Sequence, residues 1–146
     1  MKRKKFLPYR RRREGRTDYR RRLTLLKSGL PRLVVRQSLR NITVQIVVYH
    51  PDGDKTLFGL GTKALKKFGW NGHARNIPAG YLLGYLFGKK IKEKNHGEVV
   101  FDLGFSPAQK GAVVYGGLKG LVDAGMRIPH DATVFPSDQR IQGKHT

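Results

Sequence analysis

A chain of 146 residues has room for one domain with a single core and its tails. Lysine and arginine total 30 against 10 acidic residues, a net charge of +20, while hydrophobic residues make up 38%. That balance excludes a wholly disordered basic tail and predicts a folded body whose self-repulsion is offset by a polyanion.

Residues 1–22 hold twelve lysines and arginines against Glu14 and Asp18, half the net charge in about one-seventh of the chain. The like charges cluster without periodicity, which predicts an arm that is extended in isolation and ordered against a partner. It lacks the apolar run of a signal peptide, so the expected compartment is cytosolic. Arg10, Arg11, Arg12 and Arg13 favour phosphate, because guanidinium forks match its oxygens at two points. Phe6 and Tyr9 stand among them, and aromatic rings stack on bases. Thr17 or Asp18 is a good N-cap for a short helix with Tyr19, Leu23 and Leu26 on one face and a stop at Gly29. Arg20, Arg21 and Lys27 would point outward. This segment is also the one candidate for an interfacial membrane helix.

Pro31 opens the body. Residues 33–36 are a short apolar run, residues 37–41 a polar turn, and residues 42–49 alternate with period two as a strand. Residues 51–54 are a turn and residues 55–60 a third strand, giving an antiparallel meander. Arg32 and Arg36 are evenly spaced and would share a sheet face. With Arg40, and beside Gln37, Ser38 and Asn41, they form a second candidate RNA-contacting group. An edge strand that uses charge against aggregation is the plainer alternative.

Residues 62–68 read as a short helix stopped by Gly69. Asn76 and Pro78 open a longer one to about Lys92, with Gly80, Gly84 and Gly88 on one stripe. Glycine costs roughly 1 kcal/mol per helical position against alanine, so three together predict close approach to another backbone. Residues 98–103 are a fourth strand. Residues 106–109 resemble a capping box for a helix running to Ala124 and stopped by Gly125, with Gly116, Gly117 and Gly120 inside it. Helices before and after a strand imply α/β layers on a mixed sheet. The tail from Ile128 is short and polar.

Catalytic and cofactor readings are weak. Gly59-Leu60-Gly61-Thr62-Lys63 lacks the ending of a phosphate-binding loop and the third glycine of a dinucleotide fingerprint. His50, His73, His96, His130 and His145 show no metal-ligand spacing. With no cysteine in the chain, disulfides, thiolate zinc sites and cysteine nucleophiles are excluded. The longest apolar stretch, residues 77–88, is shorter than the ~18 residues that span a bilayer. No cofactor, metal, catalytic residue, membrane or small-molecule substrate is expected. A metal-dependent nuclease remains the enzymatic rival, and it would need several converging carboxylates.

Two stretches carry a resemblance. Residues 19–29, Tyr19-Arg20-Arg21-Arg22-Leu23-Thr24-Leu25-Leu26-Lys27-Ser28-Gly29, lead into Pro31-Arg32-Leu33-Val34-Val35-Arg36-Gln37-Ser38. Further on stand Gly117-Leu118-Lys119-Gly120-Leu121-Val122-Asp123-Ala124-Gly125, Ile128-Pro129-His130 and Phe135-Pro136-Ser137-Asp138. With Gly69-Trp70 and Gly88-Lys89-Lys90 between them, they resemble the 5S-rRNA-binding family of the large ribosomal subunit, protein eighteen in the bacterial count, in its archaeal form. The long extra C-terminal domain of the eukaryotic members has no counterpart here.

The resemblance implies a three-layer α/β fold of the ribonuclease-H-like type, a mixed sheet with helices on both faces, without that fold's catalytic carboxylates. It implies a structural constituent of the large subunit that binds 5S rRNA and helps attach it to large-subunit rRNA in the central protuberance, among neighbouring ribosomal proteins. A generic polyanion or RNA binder outside the ribosome is the alternative. The expected contacts are Lys4, Lys5, Tyr9, Arg10 to Arg13, Arg16, Arg20, Arg21, Arg22, Arg32, Arg36, Ser38, Arg40 and Asn41. Leu39 departs from the family's polar turn, which removes a polar contact there. The expected division is a basic arm with its short helix over 1–29, an RNA-binding domain over 30–127 and an extended tail over 128–146.

Overall fold

The computed structural model describes residues 6–94, 97–105 and 109–144. A four-residue helix α1 (Arg10–Arg13) and a longer α2 (Tyr19–Leu26) precede the body. The arm is thus locally helical where the clustered charge predicts extension. Glu14 explains this in part, since its carboxylate meets Arg10 at 2.7 Å one turn away. Asp18 caps α2 by accepting from the backbone N–H of Arg20 and Arg21 at 3.1 and 3.2 Å.

The meander is present as β1 (Arg32–Gln37), β2 (Ile42–Val48) and β3 (Lys55–Gly61). A fourth strand, β4 (Val100–Asp102), is shorter than expected and pairs in parallel with β1, so the order is β3-β2-β1-β4. β1 is therefore interior, and its arginines do not protect a free edge. Residues 62–68 form a 3-10 helix, closed by Gly69 at φ +84°.

α3 (Ile77–Lys92) and α4 (Val113–Asp123) pack side by side on one face of the sheet. Asn76 caps α3 through a 2.8 Å bond to the Ala79 N–H, with Pro78 in the first turn. The glycine stripes explain the contact. A Cβ on Gly84 would overlap the Gly117 carbonyl, one on Gly120 would overlap the Tyr81 carbonyl, and one on Gly80 would lie 3.0 Å from the Val113 carbonyl. The expected close approach is thus made by these two helices to each other. α4 starts later than the expected capping box, of which residues 106–108 lie outside the described residues. Gly111, at φ +74°, cannot belong to a right-handed helix and delays its start.

Leu33, Val35, Ile42, Val44 and Ile46 point from the sheet into a core with Leu83, Phe87, Leu118 and Leu121 from the helices. Alternation puts Arg32, Val34 and Arg36 on the opposite face, opposite Val47, Gln45 and Thr43 on β2. The short α2 lies over that face. The result is the expected mixed sheet with helices around it, its second helical layer only eight residues long. Beyond Ile128, which is buried, the tail folds into a 3-10 turn (Ala132–Val134) and α5 (Asp138–Ile141), which touches α3.

Candidate nucleic-acid interface

α2 is fixed over the polar face of the sheet by an ion-pair chain. Arg22 donates to both oxygens of Asp54 at 2.7 and 2.8 Å, and Arg32 donates to Asp54 from β1. Arg32 donates again to Asp102 at 2.9 Å, across the parallel β1–β4 pair. Arg36 donates to the Asp102 carbonyl at 2.8 Å, and the other Asp102 oxygen accepts the Gly104 N–H at 2.8 Å. The Arg22 hydrogen bond, with the charge of Arg32 adding to it and burial opposing it, holds the Asp54 carboxyl below the usual carboxylate range. The same bond raises the Arg22 guanidinium.

The predicted apolar stripe of α2 is only partly the docked face. Tyr19, Leu25 and Leu26 are half-buried, but Leu23 is exposed and Arg22 takes an inward position, because its fork must reach Asp54.

Between the arm and the sheet lies an open cleft of about 1110 Å³. Seven arginines (Arg11, Arg16, Arg21, Arg22, Arg32, Arg36 and Arg75) line it against three aspartates, Asp18, Asp54 and Asp102. All three carboxylates are engaged, Asp18 in capping α2 and the other two by arginine, so the cleft carries unbalanced positive charge. Val34, Val47, Leu39, Leu103 and Phe105 supply apolar wall.

The expected contact residues divide by accessibility. Lys4 and Lys5 lie outside the described residues. Tyr9 is exposed and its ring sits 5.3 Å from that of Tyr19. Arg10, Arg12, Arg13 and Arg20 are exposed, and Arg11 leans into the cleft with its Nε–H on the Thr17 hydroxyl at 2.7 Å. Arg16 meets Glu14 at 3.2 Å and Arg21 donates to the Gly104 carbonyl at 3.3 Å, both with most of the side chain in solvent. Arg22 and Arg32 are different. Arg32 is only 5% exposed, and both guanidiniums are committed to carboxylates, so they join α2, β1, β4 and the turn before β3 rather than face outward.

Arg36 is half-exposed and packs against Gly104, where a Cβ would come within 2.9 Å of its Cζ. Ser38 and Asn41 close the β1–β2 turn: the Ser38 hydroxyl accepts the Asn41 N–H at 3.1 Å, and the Asn41 side chain accepts from Thr62 at 3.4 Å. The turn leaves Arg40 and Leu39 projecting, Leu39 at 85% exposure.

Two cleft residues carry no sequence signal of their own. Arg75 sits in an irregular loop before α3, and Phe105 follows β4 next to Gly104, at φ +60°. The parallel β1–β4 pairing brings Gly104 against Arg36 and Phe105 to the same cleft.

Among the described residues no group of three or more histidine, aspartate or glutamate side chains could hold a metal ion. No described helix is long and apolar enough to cross a membrane.

The family model for ribosomal large subunit proteins 60S L5 and 50S L18 matches residues 3–101, well over half the chain. The chain belongs to this family. The match takes in the arm, the whole sheet up to Phe101, and α3, and so most of the residues that build the cleft. Membership in the 60S L5 and 50S L18 family makes this a large-subunit ribosomal protein, with a structural role among ribosomal RNA and ribosomal proteins. Burial of Arg32 beneath the arm then has a simple meaning for a protein of this kind. It fixes a basic helix in place on the sheet that carries it.

Proposed function

We propose that the chain binds 5S rRNA and helps attach it to large-subunit rRNA in the central protuberance. The observation that carries this reading is the arginine excess in the cleft, with every carboxylate there already engaged. Such a surface attracts a polyanion, and arginine favours phosphate through two-point hydrogen bonding. Family membership makes that polyanion ribosomal RNA.

Within this reading the arm and the body act differently. Arg10 to Arg13, Arg16, Arg20 and Arg21, together with Lys4 and Lys5, supply phosphate contacts and hence affinity. Tyr9 offers a ring to a base. Arg36, Arg40 and the 38–41 turn stand on the rigid sheet and supply specificity, joined by Arg75 and Phe105. Arg22 and Arg32 act from beneath, by holding α2 at a fixed height over the sheet. Recognition rests on shape, phosphates and 2′-hydroxyls, since A-form helices hide their base edges in a deep groove.

The test is binding of the full chain to 5S rRNA, a transfer RNA and duplex DNA across a salt series. Tighter binding to 5S rRNA at ~150 mM salt is expected. Equal affinity for all three would overturn the reading and leave a generic polyanion binder.

A further inference from the structure

The cleft has features that phosphate binding alone does not need. Its apolar wall is substantial, with Val34, Val47 and Leu103 lining it beside the exposed side chains of Leu39 and Phe105, the latter 54% exposed. Phe105 follows Gly104, against which the guanidinium of Arg36 packs. An aromatic ring and a planar cation are the two kinds of surface on which unstacked bases rest. Gln37 and Ser38 line the same wall and add hydrogen-bonding groups.

Size narrows the ligand further. About 1110 Å³ lies just above the ~300–1,000 Å³ of pockets that hold one drug-sized molecule. That is room for one or two nucleotides.

Building on the reading that this face binds 5S rRNA, we propose that the cleft takes an unpaired segment of that RNA, one or two nucleotides drawn out of the helical stack. The bases lie against Phe105, Leu39 and the open face of Arg36, and the flanking phosphates meet Arg11, Arg16 and Arg21. Discrimination then comes from where the RNA can release a nucleotide, because unstacking is cheapest at loops and bulges.

The experiment compares wild-type protein, Phe105→Ala and Leu39→Ala in complex with 5S rRNA by nucleotide-resolution chemical probing, together with affinity. Both side chains are exposed, so folding is expected to be intact and circular dichroism checks it. Wild-type protein should protect one or two unpaired nucleotides that stay reactive with Phe105→Ala, and Phe105→Ala should bind roughly 10-fold more weakly, the scale of one lost base-stacking contact. A short single-stranded oligonucleotide spanning the protected position should compete with 5S rRNA better than a duplex of the same sequence.

If wild type binds 5S rRNA but Phe105→Ala binds and protects identically, the cleft proposal falls and the 5S rRNA reading stands. If wild type itself shows no preference for 5S rRNA, both fall.

Discussion

Asp54 is gripped from two sides, by Arg22 of α2 with both oxygens engaged at 2.7 and 2.8 Å, and by Arg32 rising from β1. The arm and the sheet therefore share one carboxylate, and the cleft depends on it. Asp54→Ala leaves the enclosed Arg32 guanidinium with Asp102 alone. The expected loss is about 2–3 kcal/mol, below the ~3–5 kcal/mol of a fully enclosed pair because Asp54 and Arg22 each keep about a quarter of the side chain in water. Urea unfolding measures it, and trypsin should cut after Arg20 to Arg22 faster in the variant. Unchanged stability and cleavage would mean that α2 is not held by this pair.

The same pair sets an acid limit. The Asp54 carboxyl is held below its ordinary value, so its contribution is present above the unfolded-state pKa of about 3.9. It fades as pH falls through the lower folded-state value. Stability of wild type should fall more steeply than that of Asp54→Asn on acidification below about pH 4. Parallel curves would remove the coupling.

At alkaline pH the sign reverses at Tyr81. Its phenol, pushed up to about 12 mainly by burial and then by its 2.8 Å bond to Asp123, favours the protonated form in the folded state. That contribution is complete below about pH 10, the unfolded-state value, and is lost as pH rises towards the folded one. Between those values wild type should lose more stability than Tyr81→Phe. Absorbance titration should show one tyrosine fewer ionising late in the variant.

The two helices offer a contrast between neighbouring glycines. A Cβ on Gly84 would overlap the Gly117 carbonyl, whereas one on Gly117 would meet the Gly80 carbonyl at 3.5 Å, an ordinary contact. Gly84→Ala should cost about 3 kcal/mol or more, since neither backbone can yield. Gly117→Ala should be neutral or gain up to ~1 kcal/mol from helix propensity. Thermal unfolding of both variants decides it, and equal tolerance would deny the close approach.

Charge on the rim can be separated from charge in the fold. Arg11→Gln, Arg16→Gln and Arg21→Gln combined should leave stability almost unchanged, because these side chains face solvent. The salt dependence of 5S rRNA binding should become shallower by about 2–3 in the log–log slope. Arg32→Gln should do the opposite, lowering stability strongly with little change in slope. Equal slopes for wild type and the triple variant would remove these three from phosphate contact.

Local pattern made much of the fold legible. The period-two run at residues 42–48, the Asn76 cap with Pro78, and the turn glycines all act within a few residues, and each stands where the sequence puts it. The candidate site was legible mainly as charge. Arg32 and Arg36 share a face as their spacing requires, yet one is enclosed and the other half-exposed. Their difference rests on Asp102, 70 residues from Arg32, and on Asp54. Arg75 and Phe105 had no local signal, because a single arginine in a loop and a single phenylalanine after a strand are common.

What the sequence determined by itself is the chemistry of the partner and the kind of layers that display it. Net charge, arginine clustering and hydrophobic period are additive or short-range properties, and folding does not alter them. What only the tertiary structure decided is which charges remain available. Pairing β4 in parallel with β1 delivers Asp102 to Arg32 and Arg36, and docking α2 delivers Arg22 to Asp54. Those carboxylates cancel the arginines beneath the arm and leave the cleft's rim charged. Coulombic pairing depends on distance through space, and that distance exists only once the sheet is assembled.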